Sequence, residues 1–184
     1  GLADLTFVDT SGVALASVTL TGNLNVTADG AITDSGTLAI SGTTTLAAGS
    51  GNNITLDTTG NNFTDAVMIT SGNDVELVDT NGIVLGASTV SGDLTVTATL
   101  GDITDTGTLD VTGDASFTAN ASGADIVLND ASNRFGGSVA FASSGGLADL
   151  TFVDTSGVAL ASVTLTGNLN VTADGAITDS GTLA

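Results

Sequence analysis

Two short strings of the sequence have the residue types of a catalytic carboxylate pair. The strings 34–37 (Asp-Ser-Gly-Thr) and 105–108 (Asp-Thr-Gly-Thr) match the Asp-Ser/Thr-Gly-Thr string of aspartic proteases. Such an enzyme needs two aspartates roughly 3 Å apart that share one proton. The strings occupy equivalent places in an internal repeat, which predicts carboxylates about 14 Å apart on coils stacked at about 4.8 Å. We therefore interpret both strings as Gly turns closed by an Asp side chain, and expect no enzymatic activity.

Acidic turns suggest a second chemistry, the binding of Ca²⁺, which takes six to eight oxygen ligands. No turn matches an EF-hand loop, and the Gly-Gly-x-Gly-x-Asp nonapeptide of calcium-binding β-helices is absent. We expect divalent cations such as Ca²⁺ to be held loosely, without a dedicated site, and expect no other cofactor in a chain with no His or Cys and one Met. The candidate metal ligands are Asp9, Asp34, Asp79, Asp105 and Asp154, followed by Asp29 and the pair Asn73–Asp74.

The charge of the chain is strongly one-sided. Twenty acids face a single base, Arg134, which gives a formal net charge of −19. One arginine forms no basic patch, so we expect no binding to nucleic acid or to an anionic membrane surface. No run of about 18 apolar residues is present, so no membrane insertion is expected. All acids but Glu76 are Asp, which favours turns over helices.

The sequence contains a long tandem repeat. Residues 1–39 return without a single change as residues 146–184. The chain thus comprises one complete unit, 1–145, and the beginning of the next copy, 146–184. Repetition at a fixed period is the signature of a solenoid or array. We interpret residues 1–184 as one continuous solenoid segment and expect its pattern to continue in neighbouring copies.

Each unit contains two diverged halves of about 72 residues. The matches include the phenylalanines Phe63 and Phe135, for which we expect stacking of like over like several coils apart. The other matched strings are 17–27 with 88–97, 31–38 with 102–109, 53–56 with 125–128, and 75–82 with 150–157.

Short runs of alternating apolar residues fill each half, separated by Gly, Asp, Asn and Ser. This pattern predicts strands of three to five residues joined by tight turns, and no helix. We predict an all-β fold, a right-handed parallel β-helix (β-solenoid) with about three short strands per coil. A coil of about 24 residues gives about six coils per unit and places the two copies roughly 29 Å apart. A β-sandwich or a propeller is the alternative. The predicted inward residues are Leu24, Val26, Ile32, Leu38, Ile40, Ile54, Leu56, Val67 and Ile69.

Several strings resemble the rungs of giant bacterial surface exoproteins of the filamentous-haemagglutinin-like and autotransporter types. They are 22–28 (Gly-Asn-Leu-Asn-Val-Thr-Ala), 30–38 (Gly-Ala-Ile-Thr-Asp-Ser-Gly-Thr-Leu), 61–67 (Asn-Asn-Phe-Thr-Asp-Ala-Val) and 92–98 (Gly-Asp-Leu-Thr-Val-Thr-Ala). The resemblance covers essentially the whole chain. It implies secretion, a β-helical stalk and a role in adhesion or surface structure.

The sequence therefore favours a structural repeat segment of an extracellular bacterial fibre, filament or adhesin stalk at the cell surface. The expected partners are neighbouring repeats or copies of the chain itself, end to end and laterally, together with divalent cations. The alternative is an adhesin module that binds a glycan or a protein. A polysaccharide-degrading β-helix enzyme is a third possibility, but it requires unrepeated polar residues clustered in a cleft, and the polar residues here recur with the repeat.

Overall fold

Short parallel strands make up the whole protein. A computed structural model describes all 184 residues and contains 24 β-strands and no helix. Buried and half-exposed residues alternate along strands such as Leu94–Ala98, because one face of each strand points into the core. Every pairing between strands is parallel and joins strands about one coil apart, as in Leu5 with Leu24. The predicted β-solenoid is confirmed, with the chain wound in about eight turns.

Two nine-stranded parallel sheets run the length of the solenoid. Sheet I contains β1 (Leu5–Asp9), β4 (Leu24–Ala28), β7 (Thr44–Ala47), β10 (Val67–Ser71), β12 (Ile83–Leu85), β15 (Ile103–Asp105), β18 (Ala124–Leu128), β21 (Leu147–Asp154) and β23 (Leu169–Ala173). Sheet II contains β2 (Val13–Leu15), β5 (Ile32–Asp34), β8 (Ile54–Leu56), β11 (Val75–Asp79), β14 (Leu94–Ala98), β17 (Ala115–Ala119), β20 (Ser138–Ala142), β22 (Val158–Leu160) and β24 (Ile177–Asp179). Each coil contributes one strand to each of these sheets.

Two three-stranded sheets complete six of the coils. Sheet III contains β3 (Val18–Leu20), β6 (Leu38–Ile40) and β9 (Asn62–Phe63), and sheet IV contains β13 (Ser88–Val90), β16 (Leu109–Val111) and β19 (Arg134–Phe135). In the first half of the unit the third strand follows the strand of sheet II. In the second half it follows the strand of sheet I and precedes that of sheet II. The third strand therefore changes position in the coil between the halves, and the coil at β10 and β11 lacks one.

The coils are shorter than the sequence suggested. Fewer residues separate Val67 from its strand partner Leu85 than separate Ala115 from its strand partner Val139. The identical strands β1 and β21 are first and eighth in sheet I, and β2 and β22 are first and eighth in sheet II. One unit therefore spans seven coils rather than six, and its two copies lie about 34 Å apart at roughly 4.8 Å per coil. They return to the same sheets and are not paired side by side.

An odd number of coils per unit moves the two halves onto different sheets. Half a unit is about three and a half coils, so β1 lies in sheet I while its matched strand β11 lies in sheet II. The expected stacking of Phe63 with Phe135 was wrong for this reason, because Phe63 belongs to sheet III and Phe135 to sheet IV. Phe135 instead contacts Phe117 and Phe152, with ring centroids 6.1 and 5.0 Å away.

A single apolar core fills the solenoid. Forty-one buried apolar residues form one cluster that extends from Leu15 to Val163. Large side chains are scarce in it, since the chain has only six Phe and no Trp or Tyr. Val, Leu, Ile and Ala fill the narrow interior in rows that repeat from coil to coil. All nine residues predicted to point inward are confirmed, each with at most 1% of its surface exposed.

Stacked glycines turn one corner of the solenoid. The backbone N–H of Gly113 donates to Gly92 O at 2.9 Å, and that of Gly137 donates to Gly113 O at 3.0 Å. A Cβ on Gly113 would lie 2.6 Å from the oxygen of Gly92, a backbone atom that cannot rotate away. Close approach of successive coils, rather than a positive φ, therefore requires glycine at this corner.

We expect Gly113→Ala to lower the free energy of unfolding by roughly 1–3 kcal/mol, the usual cost of overpacking. Gly51→Ala is the matched control, because a Cβ there would meet nothing within 4 Å and Gly51 has no positive φ. The control should be neutral or stabilising by up to about 1 kcal/mol. Chemical denaturation of both variants measures the difference. Equal stabilities would show that the corner accommodates a side chain.

Candidate functional site: acidic corners and end coils

Four of the five candidate metal ligands lie in two corner clips that are largely buried. The first clip is Asp34, Asn61 and Asp79, on three successive coils. Asn61 Nδ2 donates to Asp34 Oδ2 at 2.6 Å, and Asn61 Oδ1 accepts the Leu38 backbone N–H at 2.8 Å. Asp79 accepts a hydrogen bond of 2.6 Å from the backbone N–H of Phe63, two residues after Asn61. The clip thus joins the corners of three coils through side-chain to backbone bonds.

The second clip repeats this arrangement half a unit later with Asp105, Asn133 and Asp154. Asn133 Nδ2 donates to Asp105 Oδ2 at 2.5 Å, and Asn133 Oδ1 accepts the Leu109 N–H at 2.8 Å. Asp154 accepts the N–H of Ser156 at 2.8 Å and lies 3.5 Å from the Phe135 nitrogen. One oxygen each of Asp34 and Asp154 is buried without a hydrogen-bond partner. Asn61, Asn133, Asp79 and Asp154 are all essentially inaccessible to water.

Burial and hydrogen bonding act in opposite directions on Asp79. Burial raises the pKa of Asp79, and the backbone N–H groups of Phe63 and Asn81 lower it less than burial raises it. Ionised Asp79 therefore costs stability near neutral pH. A raised native pKa contributes stability that is complete below the unfolded value of about 3.9 and is lost as the pH rises through the native value.

We expect the free energy of unfolding to rise as the pH is lowered from 7 towards 4, with a contribution from Asp79. Asp79→Asn removes that titration, so the pH profile of the variant should be flatter in this window. Denaturant titrations at several pH values compare the two proteins. If the free energy of unfolding depends on pH equally in the two proteins, Asp79 does not contribute.

Below about pH 4 the free energy of unfolding should fall as the pH is lowered further. The reason is that hydrogen bonds from Ser11 and Ser138 lower the pKa of Asp9 and Asp114, respectively, so that these native carboxylates lose their stabilising charge only at low pH.

The remaining candidate, Asp9, is the first copy of Asp154. Asp9 is exposed and bonds only locally, to the N–H of Ser11 at 2.7 Å and to its hydroxyl at 2.5 Å. Asp154 makes the same local bonds but is covered by the coil that contains Asn133. The difference between the two copies is therefore the neighbouring coil, not the sequence.

Outside the clips, exposed and half-exposed acids form ladders along the corners, in which the side chain of one coil is hydrogen-bonded to the next coil. In the first ladder each side chain accepts the backbone N–H of the next coil: Asn53 from Asp74 (3.2 Å), Asp74 from Asp93 (3.1 Å), Asp93 from Asp114 (2.8 Å) and Asp114 from Ser138 (2.7 Å). A second ladder runs through Asp102, Asp125, Asp149 and Asn168. Among these residues the sequence predicted only Asp74, in the pair Asn73–Asp74, as a candidate metal ligand. The signal it lacked was the coil length, which sets which turn lies over which.

The ladders place like charges one coil apart. Carboxylates about 4.8 Å from each other repel by roughly 1 kcal/mol in water. Arg134 relieves little of this, because its one ion pair, with Asp110 at 3.2 Å, is exposed on both sides. Nowhere do three or more acidic side chains converge in a geometry that could hold a metal ion. The ladders are therefore rows of separate carboxylates, each of which accepts a backbone N–H with one of its oxygens.

The protease-like strings do not meet. Asp34 lies in the second strand of sheet II and Asp105 in the sixth strand of sheet I. Each is hydrogen-bonded to a different asparagine, so the pair does not form the shared-proton dyad of an aspartic protease.

The structure contains no helix that is long and apolar enough to span a membrane.

The two end coils expose apolar residues that are buried elsewhere in the chain. Phe7 is 39% exposed, whereas its copy Phe152 is fully buried. At the other end Leu183 is 44% exposed, whereas its copy Leu38 is fully buried. These apolar side chains are therefore buried wherever a neighbouring coil stacks on them.

Comparison with known proteins identifies the repeat but not its role. The family described as repeats of unknown function (DUF5649) matches residues 2–70, 72–142 and 147–184. These ranges correspond to the first half, the second half and the beginning of the next copy. No curated protein and no solved structure matches the chain. Because the three matches cover nearly all of its residues, the chain belongs to the DUF5649 family of repeats of unknown function.

Proposed function

We propose that the chain is a structural repeat segment of an extracellular bacterial fibre, filament or adhesin stalk, of the kind built by filamentous-haemagglutinin-like exoproteins. The observation that carries the proposal is the return of identical strands to the same sheets after seven coils. Each further copy extends one parallel stack by about 34 Å. Since each coil contacts mainly its neighbours, length is added without a new folding problem.

Copies of the chain, stacked end to end, are the proposed partners. An open layer of strands is normally capped or covered in natural proteins. A copy stacked in register provides that cover, as the coil of residues 124–142 does for the copy that begins at residue 146. Divalent cations are the second proposed partner, held along the acidic ladders.

Localisation and shape test this proposal together. Antibodies raised against the purified chain should label thin surface projections of intact source cells in electron microscopy. Protease added to intact cells should remove the labelled material. Antigen that becomes accessible only after lysis would contradict the extracellular role. Compact labelled particles instead of projections would contradict the stalk.

A groove between the halves favours a second candidate, a glycan- or protein-binding adhesin module. The groove has a volume of about 490 Å³, within the range of roughly 300–1,000 Å³ typical of ligand sites. It runs over four coils at the place where sheet III has ended and sheet IV begins. Five of the nine residues that line the groove are Thr or Ser and three are apolar, although most of its surface is apolar; the lining includes Thr45, Met68, Thr70, Ala87, Thr89 and Thr108.

A glycan array with the wild-type chain and with Thr89→Val tests this candidate. Binding that the variant loses would support an adhesin module, and no binding would leave the groove a structural feature. We do not propose a polysaccharide-degrading enzyme. Glycoside hydrolysis uses two carboxyl groups about 5–9.5 Å apart, and the one carboxylate in the groove, Asp110, is paired with Arg134.

A further inference from the structure

One turn of the chain has the residue types of a self-modifying site. Asn81–Gly82 is the only Asn-Gly pair in the sequence and lies in the turn between β11 and β12. The matching turns contain Ser11–Gly12 and Ser156–Gly157 instead. The same turn thus forms with serine, so the fold does not require asparagine at position 81. An asparagine that precedes glycine can react with the glycine nitrogen, because no Cβ obstructs the attack.

The reacting atoms are accessible and make few hydrogen bonds. Asn81 is exposed, and the backbone N–H of Gly82 donates to no other group. Asn81 Nδ2 makes one hydrogen bond, of 3.2 Å, to Asn62 Oδ1, which is at the long end of the usual range. By contrast, Gly175, which follows an aspartate, donates its N–H to Ser156 O at 2.7 Å. The nitrogen of Gly82 is therefore available as a nucleophile.

We propose that Asn81 is a modification site that converts spontaneously to aspartate and isoaspartate. The Gly82 nitrogen forms a bond to Cγ of Asn81, and its proton leaves with the side-chain amide group as ammonia. One water then opens the resulting succinimide ring. Opening at the side-chain carbonyl gives aspartate, and opening at the backbone carbonyl gives isoaspartate, in which the main chain runs through the former side chain. The reaction needs no enzyme, and the inference does not depend on the proposed function.

The two products differ in their effect on the first corner clip. Aspartate adds one negative charge next to Asp79, which accepts the backbone N–H of Asn81 at 2.6 Å. Isoaspartate also lengthens the main chain by one atom in a closely packed corner, where a Cβ on Gly101 would lie 2.7 Å from the Gly82 nitrogen. The longer chain displaces Gly82 and the strand that follows it. We therefore expect isoaspartate to loosen the corner more than aspartate does.

Mass spectrometry of the native chain after incubation in mildly alkaline buffer tests the proposal. The mass difference between an amide and an acid should develop in the fragment that contains Asn81, together with release of ammonia. Its rate should rise with pH, because the Gly82 nitrogen must lose a proton to react. Enzymatic methylation of isoaspartyl carboxylates measures the second product. Asn81→Ser is the matched control, since serine occupies this place at Ser11 and Ser156, and it should show neither change.

The chain in denaturant shows the intrinsic reactivity of the same dipeptide. A native chain that keeps the Asn81 amide would overturn the proposal, even where the denatured chain loses it. Ammonia release from Asn81→Ser at the rate of the wild type would also overturn it. Asn81→Asp separates charge from chain length. Hydrogen exchange at Phe63 and Thr80, which are bonded to Asp79 and Asn61, should stay slow in this variant and become fast in chains that contain isoaspartate. Equally slow exchange in both would contradict the loosening of the corner.

Discussion

Leu38→Ala is expected to lower the free energy of unfolding of the coils around it by about 2–5 kcal/mol. Leu38 is fully buried in the middle strand of sheet III, paired on one side with Val18. Its backbone N–H also donates to Asn61 of the first corner clip. Truncation leaves a cavity in a narrow interior whose walls are hydrogen-bonded strands, and such walls do not collapse readily.

The second copy supplies a control with the same local sequence. Leu183 is the copy of Leu38, has no further coil stacked on it within residues 1–184, and is 44% exposed. Leu183→Ala removes the same atoms from the same sequence but leaves no enclosed cavity, so its cost should stay below about 1 kcal/mol. Chemical denaturation of the two variants therefore separates the contribution of the neighbouring coil from that of the side chain.

Hydrogen exchange measures how far the effect spreads. Since coils couple mainly to their neighbours, Leu38→Ala should accelerate exchange in the coils on either side of β6 and leave β17 and β20 protected. Acceleration of equal size over all coils would show that the solenoid unfolds as one unit, and the nearest-neighbour description would be wrong. Equal destabilisation by Leu183→Ala would contradict the cavity explanation.

Local patterns in the sequence were sufficient to predict the strands and the core. Alternation in stretches such as Leu94–Ala98 gave strands of the correct length, and glycine and aspartate marked the turns. Both signals depend only on residues close in sequence. The parallel arrangement followed from the long repeat, because an array of identical units must stack each on the last.

The number of coils per unit could not be predicted in the same way. The offset between the two copies fixes the length of the unit but not how many turns it makes. We assumed three strands in every coil, whereas the short step from Val67 to Leu85 occurs in a coil without a third strand. The error carried over to Phe63 and Phe135, since seven coils per unit place matched residues of the two halves on different sheets.

The five candidate acids were expected in turns, but each of them is the last residue of a strand, and their partners were missed. Asn61 lies 27 residues after Asp34, and Asn133 lies 28 residues after Asp105, so no local pattern links them. A signal was present in the repeat itself. Both halves have Asn two residues before the matched phenylalanine, at positions 61 and 133. A polar residue kept at a corner in both halves indicates a structural hydrogen bond.

The charge of the unit predicts a response to divalent cations. Residues 1–145 contain 16 acids and one base, Arg134, which leaves −15 per unit. Spread over about 34 Å, this is roughly one charge per 2.3 Å, compared with about one per 1.7 Å for duplex DNA, which condenses counterions. A stack of these units should therefore hold a cloud of cations.

Divalent ions should act more strongly than monovalent ions at equal ionic strength. Monovalent salt screens repulsion within a Debye length of about 10 Å at 0.1 M. A divalent ion can in addition lie between carboxylates on successive coils, such as Asp93 and Asp114, or between two fibres. We expect Ca²⁺ or Mg²⁺ to raise the midpoint of thermal unfolding by roughly 2–4 °C, which corresponds to about 1 kcal/mol in a chain of this size.

Thermal unfolding and light scattering in low salt, first with chelator and then with Ca²⁺, measure both stability and lateral bundling. The matched variant is Asp93→Asn with Asp114→Asn. Its amide oxygens can still accept the backbone N–H groups of the ladder, at 2.8 and 2.7 Å in the wild type, while two charges are removed. The variant should respond less to Ca²⁺ than the wild type. If the wild type responds to Ca²⁺ no more than to NaCl of equal ionic strength, the ladders are a solubilising surface and divalent cations have no structural role.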